Sequence, residues 1–419
     1  MKVVEGRAFI RGSLEDCCIG IERGRIVAIK KIIKGDPHYN FGNKYILPAG
    51  IDIHVHFREP GFTQKEDFYS GTKAAACGGI TCIFDMPNNL PPTADLNDYE
   101  EKLSIVGRKA NVDFGLYIVL SEDSEPKELS KVGCPFKIYM VATSSNYAFG
   151  DYRRLEHVLK ETDVTGLHTS IHCENRETIG EEGRNLREHL GSRPNESEVS
   201  AIRIIEDRAR GTRVHICHVT AQESIPILEN RNLTSEVTPH HLLLNVDSDL
   251  GAFGKVVPPL RRKDDQMALW RGLISGKIDI IASDHAPHTI EEKEEGFERA
   301  PPGVPGVETS LPLMLIHLKR GNLTIGRLVS AMMERPAQIM GLNKGRIEVG
   351  KDADLIAVDL RKRTKIRADE LSSKCRWTPY EGWEAIFPIA TFLRGELIAE
   401  EGEIQETRRG RTVIKREKT

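Results

Sequence analysis

Gly50-Ile51-Asp52-Ile53-His54-Val55-His56 is an apolar run that ends in two histidines. It opens a series of eight short β-rich runs, at 51–56, 81–86, 113–120, 136–140, 168–174, 213–219, 234–239 and 278–284. Longer stretches with helical spacing lie between them. Val199, Ile202, Ile205 and Ala209 recur every three or four residues, which marks one face of a helix. Eight strands close a parallel barrel, and strand–helix alternation at this length argues for one over an all-β fold. The two ends of the chain read differently. Short alternating runs such as Cys18-Ile19-Gly20-Ile21-Glu22-Arg23-Gly24-Arg25-Ile26-Val27 suggest antiparallel hairpins. The same rhythm returns after Gly345, where Gly350-Lys351-Asp352-Ala353-Asp354 reads as a turn before Leu355-Ile356-Ala357-Val358. The expected fold is α/β: a (β/α)8 TIM barrel over 49–344, beside a small β-sandwich domain built from both chain ends, 1–48 and 345–419.

Composition agrees with an enzyme-sized globular protein. A chain of 419 residues with 39% hydrophobic residues can bury a sizeable core, which argues against bulk disorder. Lys plus Arg number 59 against 62 for Asp plus Glu, so no basic excess asks for nucleic acid. No apolar run approaches the roughly 18 residues that a membrane helix needs, and the first residues lack the apolar stretch of a signal peptide. The eight cysteines form no C-x-x-C pair, which removes support for a zinc ribbon or a thioredoxin-like motif. A reduced, cytoplasmic enzyme is the default reading. The charged tail, 408–419, reads as a solvated end.

The chemistry sits at the ends of the runs. His54 and His56 are two apart on a strand, so both imidazoles reach the same face, at the mouth where barrel enzymes keep their sites. Alone, the pair also fits two satisfied polar residues at a strand end. His172, His218 and Asp284 close three further runs. Five ligand-type side chains at four strand ends point to bound zinc, which imidazole and carboxylate both suit. Five ligands are too few for two ions, and Lys137 sits on the fourth run where a bridging ligand would come from. Its neutral amine reacts with carbon dioxide to give a carbamate, a bidentate anionic ligand. Read alone, it is a lysine snorkelling to solvent.

Gly50-Ile51-Asp52-Ile53-His54-Val55-His56-Phe57-Arg58-Glu59-Pro60-Gly61 resembles the signature of the cyclic amidohydrolases, and its arginine after the second histidine resembles that of dihydroorotases in particular. Ile281-Ala282-Ser283-Asp284-His285-Ala286-Pro287-His288 resembles their second signature, and Pro301-Pro302-Gly303-Val304-Pro305-Gly306-Val307-Glu308-Thr309 the loop that follows it. The resemblance implies that His54, His56 and Asp284 hold one zinc, that His172 and His218 hold another, and that carbamylated Lys137 bridges them. It also implies that Asp284 is the catalytic proton carrier. The implied reaction is the reversible, zinc-dependent cyclisation of N-carbamoyl-L-aspartate to dihydroorotate, the third step of pyrimidine synthesis.

Further roles follow from the same resemblance. Arg58 is a fork-shaped cation suited to the substrate carboxylate. Asn88 and His288 match substrate-binding positions, and backbone groups near Pro302 hold the ring amides. Thr143 matches a lid threonine, although its polar stretch also fits an ordinary connection. Cys217 and Glu236 match a third zinc site of some relatives, although a buried thiol is also simply a small hydrophobe. Val257 stands where an asparagine or arginine is usual, which removes one polar contact. A hydantoinase or allantoinase is the nearest alternative, but those substrates lack the carboxylate that Arg58 would hold. A catalytically silent scaffold is the alternative of another class, and it would have lost ligand types that are all present here. The resemblance leaves open a homo-oligomer or association with aspartate transcarbamoylase.

Overall fold

Four two-residue turns shape the ends of the chain. Arg11-Gly12, Arg23-Gly24, Arg394-Gly395 and Glu401-Gly402 all have positive φ at both positions, the geometry that matches the twist of a tight hairpin. They join β1 (Lys2–Ile10) to β2 (Ser13–Glu22) and β2 to β3 (Arg25–Lys30). Near the other end they join β17 (Ala390–Leu393) to β18 (Glu396–Glu400) and β18 to β19 (Glu403–Ile404). The computed structural model describes residues 1–142, 147–229, 232–405 and 409–414.

The two ends are knitted by β4 (His38–Pro48), which runs parallel to β1 and antiparallel to β14 (Leu355–Val358). Hydrogen bonding makes one mixed sheet in the order β19-β18-β17-β14-β4-β1-β2-β3. Ile19 and Ile21 of β2 share one core with Leu355 and Phe392 from the other half, linked through Val4 and Ala8 of β1 and Ile46 of β4. A two-stranded ribbon, β15 (Thr364–Lys365) and β16 (Glu384–Ala385), stands apart from it.

Each of the eight central runs contains a parallel strand. They are β5 (Gly50–Val55), β6 (Ile80–Asp85), β7 (Asp113–Leu116) with its continuation β8 (Ile118–Val119), β9 (Phe136–Tyr139), β10 (Thr169–His172), β11 (Val214–Ile216), β12 (Leu233–Val237) and β13 (Ile280–Ile281). Neighbours in this order pair in parallel, and a bridge between Val55 and His285 returns the last run to the first. Almost every strand residue is buried, as expected when helices cover the outer face. Among those helices is Asn195–Arg208, with Val199, Ile202 and Ile205 buried on one side and Ala209 just past its end. Between β11 and β12 the described residues hold only single 3-10 turns, at Gln222–Ser224 and Ile227–Glu229. No helix of the described residues is long and apolar enough to cross a membrane.

The tail corrects one expectation. Its described part, 409–414, keeps exposed side chains but is not a free end, because its backbone is paired. The amide of Phe114 donates to Arg411 O at 3.0 Å, and Val413 N donates back to Phe114 O at 2.9 Å. The reason lies in the pairing. β9 bonds to β8 rather than to β7, so β7 keeps an open edge, and the tail covers it.

Below this seam lies a buried ionic knot. Lys344 Nζ is 2.8 Å from Asp113 and 2.6 Å from Asp354, and all three side chains are at most 4% exposed. Asp113 also takes the Arg394 guanidinium, and Asp354 accepts from Thr81 Oγ1 at 2.9 Å. The knot ties the mixed sheet to β6 and β7. Lys344→Met leaves the Asp354 carboxylate buried without its cation and Asp113 with Arg394 alone, so unfolding in denaturant should show a loss of roughly 3–5 kcal/mol.

Candidate active site

β5 delivers His54 and His56 to the same side, with ring centroids 5.2 Å apart. Asp284 follows β13, and its Oδ1 lies 3.0 Å from His56 Nε2 and 3.4 Å from His54 Nε2. His172 ends β10 and His218 follows β11, with His172 Nδ1 3.0 Å from His218 Nε2. The rings of His54 and His218 are 5.4 Å apart. Lys137, in the middle of β9, is fully buried. These six residues line a single cavity of about 280 Å3 with Arg58, Asn88, Tyr139, Val257, His288 and Pro302.

Local backbone shape helps to aim them. Asp284 (φ 45°), His218 (φ 33°) and Arg58 (φ 63°) all lie in the left-handed region without being glycine. Such conformations cost on the order of 1–3 kcal/mol each and persist where the surroundings enforce them.

A second layer fixes the rings. His54 Nδ1 pairs with Glu236, whose other oxygen meets His215 Nε2 at 3.0 Å, and Glu236 also accepts the His218 amide at 3.2 Å. His56 Nδ1 donates to Asn88 Oδ1 at 2.5 Å. His172 Nε2 donates to Glu174 Oε2 at 2.8 Å, and Arg193 reaches the same oxygen at 2.6 Å. One nitrogen of the His54, His56 and His172 rings is thereby engaged, which leaves the other facing the cavity, whereas His218 is held through its backbone amide.

The donor set fits a metal cofactor. Burial lowers the pKa of His56 to about 4. Burial also lowers those of His172 and His218, with Lys137 adding to both, so these imidazoles are neutral at pH 7. Burial pulls His54 down too, but the Glu236 charge outweighs it and sets its pKa near 10, so a metal ion must displace the proton on Nε2 to bind there. Burial pushes the Asp284 carboxyl up, yet His54 and His56 hold it well below the usual carboxylate range. The donors of His54, His56 and Asp284 all lie within 4.8 Å of one another. His218 Nδ1 is buried without a hydrogen-bond partner. The Lys137 ammonium makes no ion pair among the described residues, and Cys217 Sγ is its neighbour at 2.9 Å. Cys217 and Glu236 also gather with His54 within 4.8 Å, although the facing His54 nitrogen already holds Glu236.

The other end of the cavity is cationic. Arg58 is buried, with Nε donating to Pro287 O at 3.2 Å and Nη2 3.1 Å from His288 Nε2. Lys65 Nζ approaches the opposite nitrogen of His288 at 3.2 Å. Burial and Arg58 push the His288 pKa down to about 3, so the ring stays neutral between two cations. Pro302 O is 3.0 Å from His288 Nε2. Thr143 lies outside the described residues.

Sequence reasoning did not single out Glu174, Arg193, Tyr139, Lys65 or Trp377. Glu174 carried a signal, since it stands two residues past His172 on the same strand face. Trp377, whose indole N–H donates to His288 O at 2.7 Å, had none, because it arrives from the far end of the chain.

The amidohydrolase family profile matches residues 45–397. A dihydroorotase of Methanosarcina mazei is 39% identical over 422 residues, covering 94% of this chain and 92% of the relative. A dihydroorotase of Pyrococcus furiosus is 38% identical, covering 99% and 97%. Among solved structures, an L-hydantoinase (dihydropyrimidinase) from Arthrobacter aurescens superposes with a TM-score of 0.94 at 29% identity, covering 99% of both chains.

If the carboxylates behind the rings set their orientation, Glu174→Gln and Glu236→Gln should each weaken metal binding by roughly 10–100-fold. Chelator competition on the purified variants would measure it.

Proposed function

This chain belongs to the amidohydrolase family, and from that premise we propose that it is a dihydroorotase, closing N-carbamoyl-L-aspartate to dihydroorotate with loss of water and running the reverse ring opening. The observation that carries the reading is the division of one cavity. Arg58, a buried guanidinium beside His288, occupies one end, and a cluster of histidines with Asp284 occupies the other. A ring that bears a carboxylate spans such a pocket with its anion on Arg58 and its amide at Asp284. Full-length identity to archaeal dihydroorotases supports the same substrate.

The ring of parallel strands is read as a (β/α)8 barrel and the mixed sheet as a small sandwich beside it. His54, His56 and Asp284 would hold one zinc and His172 and His218 a second, with carbamylated Lys137 between them. Cys217 and Glu236 offer donors for a third ion only if His54 Nδ1 exchanges its bond to Glu236. Bound zinc would lower the pKa of water from about 15.7 to about 7 and polarise the ring carbonyl.

The residues divide the remaining work. Arg58 and His288 hold the carboxylate, and backbone groups around Pro302 face the ring amides. In ring opening, Asp284 takes a proton from the attacking water and returns it to the departing ring nitrogen as the C–N bond breaks. In closure the protonated Asp284 starts, and the same proton leaves with water. A positioned proton carrier of this kind is worth roughly 10²–10⁴-fold. Val257 presents an apolar wall where relatives place a polar contact, so binding leans more heavily on Arg58.

A hydantoinase is the second reading, favoured by the structural likeness to one. Initial rates on dihydroorotate, hydantoin and allantoin, followed in the ultraviolet with zinc supplied, separate the two. Dihydroorotate should be the preferred substrate, and a preference for hydantoin would discard the proposal.

Two variants sharpen the roles. Asp284→Ala should lose turnover by at least about 10²-fold while still binding metal. Arg58→Met should raise KM for dihydroorotate far more than it lowers kcat, since it removes binding rather than chemistry.

A further inference from the structure

Behind the wall of the same pocket lies a cation with no part in the scheme above. Lys293 belongs to the short helix Ile290–Glu294 and is only 1% exposed. Its ammonium makes no ion pair among the described residues. Instead Nζ donates to Pro301 O at 3.0 Å, Gly303 O at 3.2 Å and Lys255 O at 3.4 Å. An ammonium has three protons, and these three carbonyls use them all.

The loop so gripped forms the pocket wall, since Pro301, Pro302 and Gly303 all line the cavity. It is held on other sides too. Gly303 has φ 140°, and a side chain there would meet Ala286 O at 2.4 Å. Its amide donates to Lys255 O at 2.9 Å. The Trp377 ring covers the ammonium, with its centroid 5.6 Å from Nζ.

A buried ammonium satisfied only by neutral carbonyls leaves its charge uncompensated, and in low dielectric that charge acts on whatever sits beyond the wall. Arg58 and Lys65 add to it around His288, and the carboxylate of Glu292 is engaged by Lys65 at 2.8 Å. Burial and the Lys255 charge lower the Lys293 pKa to about 7, and an anion in the pocket works in the opposite direction.

We propose that Lys293 is a positioning residue that holds the Pro301–Gly303 loop in its substrate-binding shape and biases the pocket toward rings bearing a carboxylate. The inference rests on the dihydroorotase reading in taking the Arg58 end as the carboxylate end.

The test is Lys293→Met in the full-length, zinc-loaded enzyme, read by kinetics and by amide hydrogen exchange. KM for dihydroorotate should rise by about tenfold or more, equivalent to ~1.4 kcal/mol, with kcat and zinc content near those of the parent. The amides of Gly303, Val304 and Gly306 should exchange faster in the variant. An unchanged KM, or unchanged exchange in the loop, overturns the proposal. Lys293→Gln, which keeps two donors without the charge, takes its place with the same readouts if the methionine variant does not fold. If the parent enzyme does not turn over dihydroorotate, the functional reading fails instead, and the exchange data still decide whether Lys293 holds the loop.

Discussion

Buried lone pairs that face one another must share a proton or a cation. His172 Nδ1 and His218 Nε2 stand 3.0 Å apart in a pocket where burial disfavours charge on either ring. Two neutral imidazoles can share one proton there, but the neighbouring ends of the same pocket bring His54, His56 and Asp284 as well. So many donors aimed inward cannot all satisfy one another. A divalent cation resolves the conflict, because it accepts lone pairs from several directions at once. The arrangement of the surrounding strands, the strained backbone at His218 and Asp284, and the carboxylates behind the rings are all consistent with that single requirement.

The supporting layer shows how the strand alternation is used twice. On β10 and the residues after it, His172 faces the cavity while Glu174, two positions on, accepts from the same ring. On β12, Glu236 reaches across to His54 and His215. Carboxylates that would be costly alone in the interior are each matched to a ring N–H or a guanidinium. The same two carboxylates orient the His54 and His172 rings, so orientation and charge balance have a common origin there.

Much of this was legible in the sequence because it is periodic. Each predicted run from 51–56 to 278–284 contains a parallel strand, since buried strands need continuous apolar stretches and the turns between them do not. His54, His56, Lys137, His172, His218 and Asp284 meet in one cavity because each closes or lies within such a run. What the sequence hid depends on contacts between distant segments. The 408–419 tail is rich in charge and reads as a free end, yet the open edge of β7 binds the backbone of 409–414, and backbone pairing leaves no signature in side-chain composition. Lys344 looks like any surface lysine until Asp113 and Asp354, some two hundred residues apart in one case, close around it. Trp377 likewise gains its meaning only from His288.

The pocket separates what a fold shares from what a substrate demands. The donors that suit a metal sit on or next to strands, where pairing fixes them to within a side chain's reach. The groups that suit a carboxylate sit on loops: Arg58 past β5, His288 past β13, and the Pro301–Gly303 wall. Close superposition on a hydantoinase therefore speaks for the frame and not for the choice of ring. On the function proposed above, the choice of ring rests with the loops that present positive charge. Here Arg58 is buried and anchored to Pro287 O, and His288 is held neutral between Arg58 and Lys65. A neutral ring lets the flanking cations keep their full charge for the ligand, whereas a protonated one would repel them. Burial of His288 is thus part of how the pocket stays assembled, and it explains why a histidine can sit among cations at the end where an anion is to be bound.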